Sequence, residues 1–187
     1  MDIATKQKFK SLTPKIQDFT GFVDADDELQ EIASYVKKTT THNEYVEPSK
    51  IKFLYSSKPK KEGGRYVISD LIKRSDMEKM IDDTYDFILT VFYDVWKDLD
   101  GEQKVILLDK AMCGIEMGIS EEQKIGKKSP DSREYISNMM FYGPDTVLKI
   151  SEIVDLTCHR VIEEKKERAK NKKNEDIDEV IPDEVKG

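Results

Sequence analysis

The stretch that most constrains this chain is Tyr85-Asp86-Phe87-Ile88-Leu89-Thr90-Val91-Phe92. Apart from Asp86 it is aromatic, apolar or β-branched. Such a run is stable when its backbone is paired on both sides and its side chains leave water, so it predicts a central strand. Two further β-rich runs accompany it. Ile51, Phe53 and Tyr55 alternate with Lys52 and Leu54, and Tyr66-Val67-Ile68 follows a Lys- and Gly-rich link over 58–64. They predict two strands joined by a flexible loop.

Helices account for most of the rest. Leu29, Ile32, Ala33 and Val36 recur at helical spacing behind Asp24, Asp26 and Asp27, acids that suit the positive end of a helix dipole. They predict a helix from about Asp27 to Lys37, ended by Thr39-Thr40-Thr41-His42-Asn43. Asp94 to Leu99 has the length of one or two helical turns, whereas Arg74 to Asp83 has no clean period. Asp98-Leu99-Asp100-Gly101 reads as a turn capping a helix from Glu102, with Leu108, Met112, Ile115 and Ile119 as its apolar stripe and Ala111 beside it. It is not a calcium loop, because no loop of about 12 residues ending in Glu follows. Asp131, with Glu134 in capping-box register, predicts a helix through Tyr142 that Gly143-Pro144-Asp145 breaks. A long final helix then faces Val147, Ile150, Ile153, Val154, Leu156, Thr157 and Val161 inward until near Ile162. Short strands with helices on one side predict an α+β domain. The expected organisation is a lightly packed N-terminal arm over 1–22, a domain over 23–162, and a charged helix extension with a disordered acidic tail over 163–187.

With 187 residues the chain can bury one core. Hydrophobic and charged residues are 37% each, and no run approaches the roughly 18 apolar residues of a membrane span. MDIATKQKFK has no apolar stretch behind it, and Cys113 and Cys158 are the only cysteines, so a reducing cytoplasm is expected. A net charge of -7 argues against a sequence-independent nucleic-acid coat. Two local basic segments, Lys58, Lys60, Lys61 and Arg65, and Lys165, Lys166, Arg168, Lys170, Lys172 and Lys173, read as a solvated loop and the outer face of a helix.

From Ile51 to Gly143, about half the chain, the order and wording of the pieces resemble the metallopeptidase domain common in bacterial viruses, a relative of the small zincins and the SprT-like group. The resemblance is carried by Asp86-Phe87-Ile88-Leu89-Thr90-Val91, Trp96, Leu99-Asp100, and Leu107-Leu108-Asp109-Lys110-Ala111-Met112-Cys113-Gly114-Ile115-Glu116. It implies a zincin-like α+β domain: a short sheet of three or more strands packed against helices, with a long C-terminal helix.

It also implies where the chemistry would be. In an active zincin two His four residues apart hold zinc, and the Glu between them takes a proton from the metal-bound water. Those positions fall on Lys110, Ala111 and Gly114, and the third ligand's place falls on Pro130, ahead of Asp131-Ser132-Arg133-Glu134-Tyr135. An ammonium repels a cation, alanine accepts no proton, and glycine and proline offer no side-chain donor. The resemblance therefore implies no catalytic residues, no metal, no cofactor and no enzyme activity.

The expected function is that of a phage protein that binds a host protein in the host cytoplasm, as a takeover factor or an anti-defence inhibitor. Its acidic surface and tail favour a basic partner, such as a nucleic-acid-binding enzyme. Direct nucleic-acid binding is not expected. Two alternatives stay open. One is a metal-dependent hydrolase or peptidase with non-standard ligands, for which Asp109, Cys113 and Glu116 share a helix face, although the resemblance implies that they accompany an intact motif as non-ligands. The other is a nucleic-acid accessory protein using the two basic segments. The only histidines, His42 and His159, lie far apart in sequence, and His159 and Cys158, among apolar residues, are expected to be packed. Cys113 has no neighbouring base in sequence to make it a nucleophile.

Overall fold

A computed structural model describes residues 1–117, 125–128 and 135–178. Along the chain these form α1 (Ile3–Ser11), β1 (Phe22–Asp24), α2 (Asp26–Thr39), β2 (Ile51–Ser56), β3 (Lys60–Glu62), β4 (Arg65–Val67), β5 (Ser69–Lys73) and α3 (Asp76–Ile81). There follow β6 (Phe87–Phe92), α4 (Tyr93–Trp96), α5 (Gly101–Met112), β7 (Ile115–Met117), β8 (Ile125–Lys127), α6 (Ile136–Tyr142) and α7 (Pro144–Asp178). The apolar run is central, as its composition demands. The main sheet has the order β1-β2-β6-β5, with β6 parallel to β2 and antiparallel to β5, and β1 antiparallel to β2. Its register sets Ile51 beside Phe87, Phe53 beside Leu89 and Tyr55 beside Val91. Because alternate strand residues share a face, these six make one buried wall. Against the sheet pack α2, with Leu29, Ile32, Ala33 and Val36 buried, and α5, with Val105, Leu108 and Met112 buried.

This is the predicted α+β class, a four-stranded mixed sheet with helices and a long C-terminal helix. Several local expectations change. Tyr66 and Val67 do not pair with the Ile51 run; β4 closes a separate hairpin with β3 through Gly63 and Gly64, both at positive φ. The sheet neighbours of the central pair are instead β1 and β5, and α3 fills the aperiodic segment with a Ser75–Glu78 capping box. The N-terminal arm is not loose. Asp2 caps α1, Phe9 is buried with its ring edge-on to Tyr35 at 5.2 Å, and the Ile16 amide donates to Tyr93 Oη at 2.8 Å.

Asp100 caps α5, in a capping box with Gln103, as the turn reading anticipates. The helix stops at Met112, however, and Ile115 belongs to β7. Ile119, Asp131 and Glu134 lie outside the described residues, and α6 begins at Ile136. The final helix continues past Ile162 as the expected charged extension and runs to Asp178, where the described residues end. Val147, Ile150, Val154 and Cys158 keep one buried stripe, while Ile153 and Leu156 fall off it and face outward at 39% and 70% exposure. No described helix is long and apolar enough to cross a membrane.

One feature of the core has no counterpart in the periodicity. Lys104 is fully buried, with Nζ 3.0 Å from Glu28 Oε1 and 3.1 Å from the Phe9 carbonyl. Glu28, also buried, accepts from Tyr55 Oη and from Trp96 Nε1 at 3.1 Å. The paired charges are thereby hydrogen-bonded, the condition for burying them, and they join α1, α2, β2 and α5 at one point. Burial holds the Lys104 amine below its ordinary value.

Candidate functional site

The site is built on α5, which is buried along most of its length and presents two chemically different faces. Leu107, Lys110 and Ala111 look into a cleft of about 180 Å³. Its other walls are Val67, Ile68 and the β5 residues Ser69 to Leu71, together with Lys127, Lys128, Tyr135, Ser151 and Val154. Lys110 Nζ donates to Ser151 Oγ at 3.1 Å, Lys127 Nζ donates to the Leu71 carbonyl, and Lys128 lies over the Tyr135 ring with Nζ 5.6 Å from its centroid. Lys60 pairs with Asp70 at 2.7 Å on the same rim. Among the described residues, four lysines against Glu62 and Asp70 line this cleft, in a chain of net charge -7.

Gly114 follows at the exit of α5, against the hydroxyl of Tyr135. A Cβ built on it would stand 2.9 Å from Tyr135 Oη and 3.0 Å from Leu71 Cδ2. Tyr135 is buried, and its hydroxyl donates to the Lys128 carbonyl at 3.1 Å.

The neighbouring face of α5 carries Asp109 and Cys113, both buried. His42, in the loop after α2, brings Nε2 to 3.0 Å from each carboxylate oxygen of Asp109. Asn43 Nδ2 donates to Asp109 Oδ1 at 2.7 Å, and Asn138 Nδ2, from α6, donates to Oδ2 at 2.6 Å. Cys113 Sγ receives Ser137 Oγ at 3.5 Å and Asn43 Nδ2 at 3.8 Å. Burial first, and then the Asp109 carboxylate, push the Cys113 thiol up to about 11. A thiol so raised is protonated at neutral pH and is no nucleophile.

Residues 6–157 match the putative phage metallopeptidase family. The chain belongs to that family. No curated protein and no solved structure is significantly similar to it. The resemblance implies a zinc ion, and the residues at the positions it assigns do not fit one. Lys110 puts a cation where the resemblance places a ligand, Ala111 lines the cleft without an acceptor, and the space beside Gly114 is taken by Tyr135 and Leu71. Pro130, at the implied third position, lies outside the described residues.

The alternative trio is brought together only in part. Asp109 and Cys113 converge, but Glu116 is exposed on β7 with its side chain over Gly126, and His42 takes the place it was expected to hold. His159 is half exposed rather than packed, with its ring edge-on to Tyr66 at 4.7 Å and Nε2 3.7 Å from Asp155, whereas Cys158 is fully buried as expected. Parts of both basic segments are engaged, Lys60 with Asp70 and Lys165 with Asp94. Sequence reasoning missed His42, Asn43, Tyr135 and Asn138. The available signal was Asp109 itself, a carboxylate directly behind the apolar run Val105 to Leu108, which needs partners from elsewhere in the chain.

Proposed function

We propose that this member of the phage metallopeptidase family has kept the peptide cleft and given up hydrolysis, and that it acts by holding a host protein, as a takeover factor or an anti-defence inhibitor. The observation that carries the reading is that Lys110 and Ala111, which stand where the resemblance places a ligand and the base, line the cleft wall, with the Tyr135 hydroxyl packed against Gly114. Removing the groups that activate water abolishes turnover and leaves ground-state binding in place.

The cleft favours an extended segment bearing carboxylates. β5 is an edge strand, a natural place for another chain to add a strand, and lysines surround it. The net charge of -7 governs long-range attraction and suits a partner that is basic overall, such as a nucleic-acid-binding enzyme. The local charge governs docking and suits an acidic stretch of that partner.

The test pairs binding with turnover. Acidic and basic peptides of equal length, labelled for fluorescence anisotropy, are titrated with the whole chain, and each is then incubated with it in the presence of zinc and weighed by mass spectrometry. The acidic peptide should bind, more weakly as salt rises, and stay intact. Cleavage, or a preference for the basic peptide, would sink the reading.

A further inference from the structure

Three donor atoms of different chemistry converge beside the cleft, on the other face of α5. His42 Nε2, an oxygen of Asp109 and Cys113 Sγ all lie within 4.8 Å of one another, and they come from two separate parts of the chain. We propose that these three residues form a binding site for a borderline divalent cation, zinc being the best match, which pins the loop after α2 to α5. This is not the family's peptidase site, of whose implied positions Lys110 and Ala111 line the cleft.

Charge is the first argument. Among the described residues Asp109 is fully buried and pairs with no lysine or arginine; its partners are His42 and two amides. A buried carboxylate needs a compensating charge, and a dication bound by one carboxylate and one thiolate gives a neutral centre. The Cys113 thiol would release its proton to solvent as the metal–sulfur bond forms.

The surroundings are the second argument. Asn43 and Asn138 are fully buried, and among the described residues their amide oxygens have no hydrogen-bond donor although their nitrogens contact Asp109. A water completing the metal's coordination would supply such a donor. Ser137 and Asn43 both aim donors at Cys113 Sγ, an arrangement that suits a thiolate better than a thiol. Geometry is the third. Tetrahedral zinc spaces its ligand atoms roughly 3.3–3.8 Å apart. Atoms now up to 4.8 Å apart must therefore close by about 1–1.5 Å, while His42 Nε2 and Asp109, at 3.0 Å, must open slightly. The His42 side chain, 15% exposed, marks the route in from solvent.

The experiment is a cobalt titration of the whole chain after chelator treatment. One ion per chain is expected, with near-ultraviolet thiolate-to-cobalt absorption that survives Cys158→Ser and disappears in Cys113→Ser and His42→Ala. Circular dichroism of the metal-free variants checks that they fold. Independently of any variant, zinc should protect Cys113 of the native chain from alkylation, read by peptide mass. Absence of the absorption band in the native chain, a band indifferent to Cys113→Ser, or alkylation of Cys113 unchanged by zinc overturns the site. Peptide cleavage would overturn the proposed function and leave the site standing.

Discussion

The hydroxyl of Tyr135 occupies the space that any side chain at Gly114 would enter, 2.9 Å from the position of a Cβ there. The tyrosine ring is buried and tied to the Lys128 carbonyl, so it cannot yield without giving up that hydrogen bond. Gly114→Ala should therefore destabilise the fold by about 1–3 kcal/mol, the range for overpacking a filled site. In a Tyr135→Ser background the same substitution should cost less, because the two residues share one space. Urea unfolding of the four proteins decides it, and additive costs would show that the contact is not limiting.

The lysines around the cleft should govern what binds there. Lys110→Glu combined with Lys128→Glu is expected to weaken acidic-peptide binding by roughly tenfold or more, since two attractive pairs become repulsive at about 1 kcal/mol each or less. Because exposed charges are screened, the gap between native and variant should shrink at high salt. Anisotropy at two ionic strengths reads both effects. An unchanged affinity would remove the cleft from the binding surface.

How much of this was legible beforehand depends on the range of the interactions. The α2 stripe, the central β6 strand and the Asp100 cap of α5 follow from residues within a turn or two of one another, and they were readable as local patterns. The β3–β4 hairpin was not, because strands of three residues have no measurable period. Lys110, Ala111 and Gly114 stood out because the resemblance is itself a local wording. Glu28, Lys104 and Asp109 did not stand out as buried, because a charge is buried only when distant partners meet it. His42 reaches Asp109 from 67 residues away and Asn138 from 29, separations at which no pattern in one sequence says which polar groups will meet.

The buried pair of Glu28 and Lys104 should be costly to break from one side. Lys104→Met strands Glu28 beside Tyr55 and Trp96 without its countercharge, and a loss of about 3–5 kcal/mol is expected. Adding Glu28→Gln removes the stranded charge while keeping an acceptor for Trp96 Nε1, so the double variant should recover part of that loss. Denaturant midpoints of the single and double variants measure it; a double variant no more stable than Lys104→Met would show that the cost lies in packing and not in charge.

Cys158 gives a pH dependence whose sign follows from its burial. Burial, and after it the Asp155 carboxylate, push the thiol from 9.0 up to about 12. The unfolded chain releases this proton near the ordinary value while the folded chain retains it, so between the two the folded state binds more protons. Stability contributed by the buried thiol is thus fully present below about pH 9 and is lost as pH rises from there toward 12. Against Cys158→Ala, which has nothing to titrate, the stability advantage of the native chain should be constant from pH 7 to 9 and narrow above it. Urea unfolding of both proteins from pH 7 to 10.5 measures the difference directly, with the other titrating groups common to both. Parallel curves throughout would mean that the thiol reaches water in the folded chain, and rapid alkylation of Cys158 at pH 8 would say the same.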